Sequence, residues 1–271
     1  MSASSSSTTT TTSSSATTTS SSNALNAADG LALSNALLKV PEPLFPSKRD
    51  SLLERAVIYV LSFILSRRFF MRESLQRESQ KYLRWNMTFR DFSSLTKLLL
   101  RQSNGSIDEL QTKIVSLLNG LIPPRVKAFF AQEYAKNARI ICEQSGEWIQ
   151  RFGLLGWLIG AETERYHIEV KDPLTGDVQQ WQSGLQVKQC RYLLESGCKS
   201  ACVNVCKIPT QRFFNDVIGL PLTMTPDYAD LSCKFEFGLK PLPKEEDPAF
   251  QTACFLGCSL SAKRNSNPCG L

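Results

Sequence analysis

A chain of 271 residues with 42% hydrophobic content can build one sizeable domain with extensions, or two small ones. Its net charge of +6 is concentrated, because Lys39 to Arg101 holds 13 Lys and Arg against 6 Asp and Glu; such a stretch suits an anionic membrane surface, a nucleic acid or a solvated basic face. Nine cysteines with no secretory signal argue against a disulfide framework and for metal ligation, redox work or buried packing.

The first 22 residues contain 19 Ser or Thr, with no acid before Asp29 and no Lys or Arg before Lys39. Such a stretch cannot bury enough apolar area to order itself. It lacks the charged start and apolar run of a secretory signal, and its hydroxyl-rich, acid-poor character fits a plastid transit peptide. Residues 1–40 are thus expected to be a disordered leader. Residues 41–49 follow as a linker, in which Pro41, Pro43 and Pro46 forbid a helix.

Ser51 with Glu54 reads as a capping box for a helix, "LLERAVIYVLSFILSRRFF", that is apolar nearly all round. Its polar stripe is narrow: Arg55, Tyr59, Ser62 and Ser66. The uncharged run between Arg55 and Arg67 is shorter than the about 20 residues that span a bilayer. It is a buried core helix or one lying in a membrane interface. A helix over 91–101 starts at Asp91. Another over 106–119 has Ser106 and Glu109 as a second capping box and stops at Gly120. Pro123 and Pro124 open a longer helix with a stripe of Val126, Phe130, Tyr134, Ala138 and Ile141. "GLLGWLIG" (153–160) has neither the Lys-Ser/Thr ending nor the preceding strand of a phosphate loop; close helix packing is its expected role.

The pattern then changes. Tyr166, Ile168 and Val170 alternate, "DPLTGD" turns, and the chain returns through Val178 and Trp181, which is a β-hairpin. "LSCKFEFG" (231–238) is a further strand with Leu231, Cys233, Phe235 and Phe237 on one face. The expected fold is α+β: a helical N-terminal half, then a small antiparallel sheet with short cysteine-bearing helices. One domain would run over 50–262, mostly helical over 50–160 and with the hairpin and cysteines over 161–262, leaving 263–271 as a tail.

The chemistry concentrates in the last third. Cys198, Cys202 and Cys206 recur every four residues, about 400° of helix, so they share a face with slow drift. Adjacent thiols would stand about 6 Å apart along the axis and the outer pair about 12 Å. One ion with metal–sulfur bonds of about 2.3 Å cannot be held by all three from an unbroken helix. Either the helix begins after Cys198, as Gly197 suggests, or the ligands divide. Pro209 is expected to push Ile208 out of the α region and end the helix near Cys206. Cys190 lies upstream, Cys233 on the strand, and Cys254 and Cys258 in "CFLGC". Clustered thiolates select zinc, iron–sulfur clusters or soft metals, and buried small hydrophobes are the plain alternative. The spacing matches no common zinc finger or ferredoxin run. The single histidine, His167, falls in the hairpin as an expected surface residue. No nucleophile elbow or dinucleotide fingerprint is present.

"SACVNVCKIPTQRFF", "GLPLTMTPDYADLSCKFEFG" and "DPAF" followed by a cysteine closely resemble the plastid β-carotene isomerase family of strigolactone biosynthesis, the DWARF twenty-seven type. The likeness is specific over about residues 190–258 and looser back to about residue 50. It implies a chloroplast iron protein that converts all-trans-β-carotene to its 9-cis isomer, the first step toward strigolactones. The implied partners are a carotenoid and downstream carotenoid cleavage enzymes, with no nucleic acid; the basic helical half could dock on an anionic plastid membrane, where carotene is dissolved. The thiols proposed for the iron are Cys202 and Cys206, then Cys198 and Cys233, then Cys254 and Cys258. A polyene has no ionic handle, so its pocket should be long and apolar; Phe129, Phe130, Phe152, Trp157, Phe213, Phe214, Phe235 and Phe237 are candidate walls. The alternative is a non-catalytic plastid protein in which a cysteine-bound zinc or iron–sulfur cluster staples a small domain.

Overall fold

The computed structural model describes residues 39–43, 50–70, 73–103, 106–152 and 156–255. The expected leader, most of the proline linker, Cys258 and the tail lie outside these. All the described residues belong to one compact unit.

Helix α1 (Leu52–Phe69) is capped as its sequence dictates: the Ser51 hydroxyl accepts from the Glu54 N–H, and the Glu54 carboxylate accepts from the Ser51 N–H at 2.7 Å. Its narrow polar stripe turns inward at Ser62 and Ser66, both buried, and the Ser66 hydroxyl bonds Ser79 of α2 (Glu73–Gln80) at 2.7 Å. Helix α3 (Phe89–Gln102) starts two residues earlier than expected, because Thr88 is its N-cap and Asp91 serves as the third-residue partner of a capping box. Helix α4 (Ile107–Leu121) runs through Gly120. The box expected at Ser106 is not formed; Glu109 pairs with Lys113 at 2.5 Å instead. Helix α5 (Pro124–Phe152) is kinked at Asn137, whose φ of −145° and ψ of 68° are not helical. Only beyond that kink, at Ala138 and Ile141, is the expected apolar stripe fully buried.

A single turn, α6 (Gly156–Ile159), leads into the sheet. It is four-stranded and antiparallel, in the order β1-β2-β4-β3. β1 (Thr163–Lys171) and β2 (Val178–Val187) form the expected hairpin, with an irregularity between Tyr166 and Ile168. Tyr166 there pairs with Gly184, and a Cβ on residue 184 would meet the Tyr166 ring at 2.6 Å, so only glycine fits. Trp181 is fully buried, while Val178 is exposed, because it opens the strand beside the turn. β4 (Cys233–Phe237) buries Cys233, Phe235 and Phe237 as the alternation requires. Leu231 stays outside the strand with a positive φ of 64°. Edge strand β3 (Leu222–Pro226) went unread in the sequence, since Pro221 precedes it and Pro226 ends it; on an edge their missing N–H groups cost no central ladder bond.

Between β2 and β3 lies helical chain: α7 (Arg191–Ser196), α8 (Lys199–Ala201), a first π turn (Cys202–Lys207), α9 (Ile208–Arg212) and a second π turn (Phe213–Ile218). Cys198 is the extended N-cap of α8, so the helix does begin after it. The expectation at Pro209 is corrected: Ile208 is α-helical (φ −63°, ψ −47°) and the run continues to Gly219. A proline lacks an N–H and crowds the carbonyl four residues back. The wide turn just before it, in which the Ile208 N–H reaches the Val203 carbonyl, accommodates both faults. The last helix is α10 (Pro248–Gln251), capped by Asp247.

Candidate functional site: a buried thiol cluster

Four thiols gather where the helical run meets the sheet. Cys202 and Cys206 come from the first π turn, Cys233 from the start of β4 and Cys190 from the N-cap of α7. Cys190 is tied to the β4 side, its N–H donating to the Leu231 carbonyl at 2.7 Å. The π turn is anchored to the helical half: the Gln111 side chain donates to Asn204 at 2.9 Å, and Asn204 donates to Ser200 at 3.0 Å. Gln211 and Asn215 hold the other end, accepting from the Met224 N–H at 2.7 Å and donating to the Leu222 carbonyl at 2.9 Å. π turns are rare and concentrate at functional sites.

The thiols perturb one another's titration. Burial, then the nearby Cys190, push the Cys202 thiol up to about 12, against a partial lowering by Lys207. Cys206 and Cys233 are pushed well above their ordinary value by burial, and next by neighbouring thiols. Cys190 is raised by burial too. All four are therefore neutral S–H groups at neutral pH. Cys206 is only half-buried as a residue, but its thiol points into the interior.

The surround is buried and contains two lysines. Lys207 meets Asp247 at 2.5 Å with both side chains almost wholly buried, and the same carboxylate accepts from the Ala249 N–H at 2.9 Å. Lys199 donates to the Thr252 carbonyl, and its ammonium lies 5.6 Å from the centre of the Tyr228 ring. Tyr192 sits against Cys198, Cys202 and Cys206 and donates to Thr96 at 2.9 Å. Tyr228 stands beside Cys202 and Cys233, and its buried hydroxyl makes no hydrogen bond of ordinary geometry.

Of the expected ligands, then, the fold brings Cys202, Cys206 and Cys233 together and places Cys198 nearby across Tyr192. Cys254 is half-buried, and Cys258 lies outside the described residues. Cys190 belongs to the cluster although the sequence reading left it out of the ligand set. It lies eight residues before Cys198, in step with the four-residue spacing, but the helix breaks between them at the left-handed Gly197, and the contact of α7 with the β4 entry brings it in. The donors are the soft kind that iron or zinc takes. Yet among the described residues no three His, Cys, Asp or Glu side chains are placed to hold a metal ion. As placed they do not fit a metal centre. His167 is exposed, as expected.

Among the described side chains, which exclude that of Phe152, the candidate polyene walls do not form one surface. Trp157 packs on Phe89 and Phe92, with ring centres 6.2 and 5.9 Å away, which is the close packing expected of its segment. Phe129 and Phe130 stack with Trp148. Phe213, Phe214 and Phe237 make a third group, and Phe235 is buried in β4. The cavity beside Trp157 and Gly160, about 150 Å³, is smaller than the about 300–1,000 Å³ of ordinary small-molecule sites.

Residues 157–246 match the model of the family described as "Beta-carotene isomerase D27-like, C-terminal". The chain is 43% identical over 76 residues to "Beta-carotene isomerase D27, chloroplastic" of Arabidopsis thaliana, covering 28% of this chain and 29% of that one. It is 40% identical over 81 residues to the protein of the same name from Medicago truncatula, covering 30% and 31%. The similarity thus spans about three tenths of these relatives' length. No solved structure matches the chain. Cys190, Cys198, Cys202, Cys206 and Cys233 all fall inside the matched segment, so the part of the fold that bears the thiols is the part similar to the C-terminal domain of D27-like beta-carotene isomerases.

Proposed function

We propose that this protein is a chloroplast carotenoid isomerase that turns all-trans-β-carotene into a cis isomer, 9-cis in the first instance, for a downstream carotenoid-cleaving enzyme. The observation that carries this reading is coincidence of place. The segment similar to proteins named beta-carotene isomerase is the segment that buries four interacting thiols beside two π turns.

A polyene offers neither charge nor hydrogen-bond partner, so a site for it must exclude water and keep its own polar groups neutral or paired. The cluster does both. Its thiols are protonated, Lys207 is neutralised by Asp247, and the Tyr192 hydroxyl is occupied by Thr96. The Tyr228 hydroxyl stands beside Cys202.

Iron enters this proposal through the sequence resemblance. Cys202, Cys206, Cys233 and Cys190 are the donors it would use, and they would have to close in to hold it; when bound, it would supply reversible one-electron chemistry. Its separate test is iron content after anaerobic purification, with Cys202→Ser and Cys206→Ser expected to lose it.

For the reaction itself, all-trans-β-carotene in detergent is incubated with the protein and the isomers are separated by chromatography. A cis isomer above the protein-free control, with no oxygen added and no chain cleaved, supports the reading. Cleaved aldehydes, or an unchanged isomer profile, contradict it.

A further inference from the structure

The outward face of α1 is apolar and basic, and the proposed reaction makes no use of it. Leu53, Ala56, Val60, Phe63 and Arg67 recur at intervals of three and four, which on a helix is one stripe. Leu53 is 75% exposed, Val60 52% and Phe63 41%. Trp85, in the connection between α2 and α3, is 85% exposed, and its ring meets Tyr59 of α1 edge-on at 6.1 Å. Ser62 and Ser66 meanwhile point into the core. This is the reverse of a helix on the surface of a water-soluble domain, whose polar side faces out.

Positive charge rings the stripe. Arg55, Arg67, Arg68, Lys81 and Arg84 are exposed, and none joins an ion pair among the described residues. The Arg67 guanidinium instead lies 5.3 Å from the centre of the Phe63 ring. The exposed carboxylate of Glu73 is spent on Arg77 at 3.2 Å.

We propose that this face seats α1 in the interfacial layer of an anionic membrane, with Leu53, Val60, Phe63 and Trp85 at the acyl-chain boundary and the arginines against lipid phosphates. The helix has 18 residues, about 27 Å of length, and no single described helix is long and apolar enough to cross a bilayer. It lies in the surface and does not span it. The chain's own first 38 residues are a poor cover, being rich in Ser and Thr with Asp29 as their one acid. A second copy would press one arginine-rich face against another, which like-charge repulsion opposes. Aliphatic and aromatic side chains within a ring of arginine meet both halves of an anionic lipid surface at once.

The test contains no carotenoid, so its outcome is separate from that of the proposed reaction. The full chain is floated with vesicles of phosphatidylcholine alone and of phosphatidylcholine mixed with phosphatidylglycerol. Partition is expected to be at least about tenfold stronger on the mixed vesicles and to weaken with salt. Tryptophan emission should shift to the blue on binding, and Trp85→Phe should remove the shift. Leu53→Ser with Phe63→Ser, and separately Arg67→Glu with Arg68→Glu, should each weaken partition at least about tenfold with the melting temperature unchanged. Equal partition on both vesicle types, or full binding by both double variants, overturns the inference. So does a vesicle-free dimer that the Leu53 and Phe63 substitutions dissociate, which would assign the face to a second copy.

Discussion

Helix α1 buries serines and leaves Leu53 and Phe63 in solvent, while the run from Lys199 to Ile218 buries lysines and thiols and leaves little apolar surface bare. Both regions break the ordinary rule of what goes inside, but they resolve the break differently. In the thiol region the buried charges find protein partners: Asp247 for Lys207, and backbone carbonyls for Lys199. In α1 the buried Ser66 is satisfied by Ser79, Ser62 keeps an unpaired hydroxyl, and Leu53, Val60 and Phe63 stand exposed. One region is complete within the chain, and the other is completed by something outside it. Polar groups buried with partners mark a constructed interior, and apolar groups exposed without partners mark a contact surface.

The largest effect that would break this contrast is at Asp247. Asp247→Ala strands the Lys207 ammonium in the interior and is expected to cost about 3–5 kcal/mol in urea unfolding. The double change Asp247→Ala with Lys207→Met removes the stranded charge and should recover most of it. A loss below about 1 kcal/mol for the single variant would mean that the pair is solvated.

Alkaline pH probes the thiols. Their folded pKa values lie above the ordinary 9.0, with Cys202 at about 12. Between those values the unfolded chain has lost protons that the folded one keeps, so stability falls as pH rises. It is fully present below about pH 9 and declines from there toward 12, at up to about 1.4 kcal/mol per unit for each such thiol. Melting curves across that range should show the decline, and Cys202→Ser should flatten it. A pH-independent melting temperature would place the thiols in contact with water.

Gly184→Ala forces a Cβ into the Tyr166 ring and is expected to cost about 1–3 kcal/mol; paired with Tyr166→Leu the cost should shrink. The smallest effect is on α1. Leu53→Ser and Phe63→Ser should change stability by no more than about 0.5 kcal/mol, since neither side chain fills a core. A larger loss would show that α1 packs against the body of the protein on that face.

The sequence revealed what depends on local order. The Ser51 capping box, the hairpin through Trp181, and the alternation of Cys233, Phe235 and Phe237 are short-range patterns, and they appear as written. The helix break after Cys198 was legible from Gly197. What escaped was set by tertiary contact. Pro209 stays helical because a π turn precedes it, and no local propensity announces that turn. The orientation of α1 could not be read, since a helix apolar nearly all round has no decisive face. Cys190 joined the thiols only once α7 had docked beside β4, a meeting between residues 43 positions apart at Cys190 and Cys233.

The proposed function makes the thiol cluster, and not buried cysteine in general, the working part of this chain. Cys142 supplies the internal comparison, being fully buried in α5 and outside the cluster. The direct measurement is the rate of cis isomer formation from all-trans-β-carotene by the unaltered protein, Cys202→Ser and Cys142→Ser, each first shown to melt cooperatively. Loss of at least about a hundredfold in Cys202→Ser, equivalent to about 2.7 kcal/mol of barrier, with Cys142→Ser near the unaltered rate, is the predicted result. Equal rates in all three, or equal loss in both variants, would contradict it.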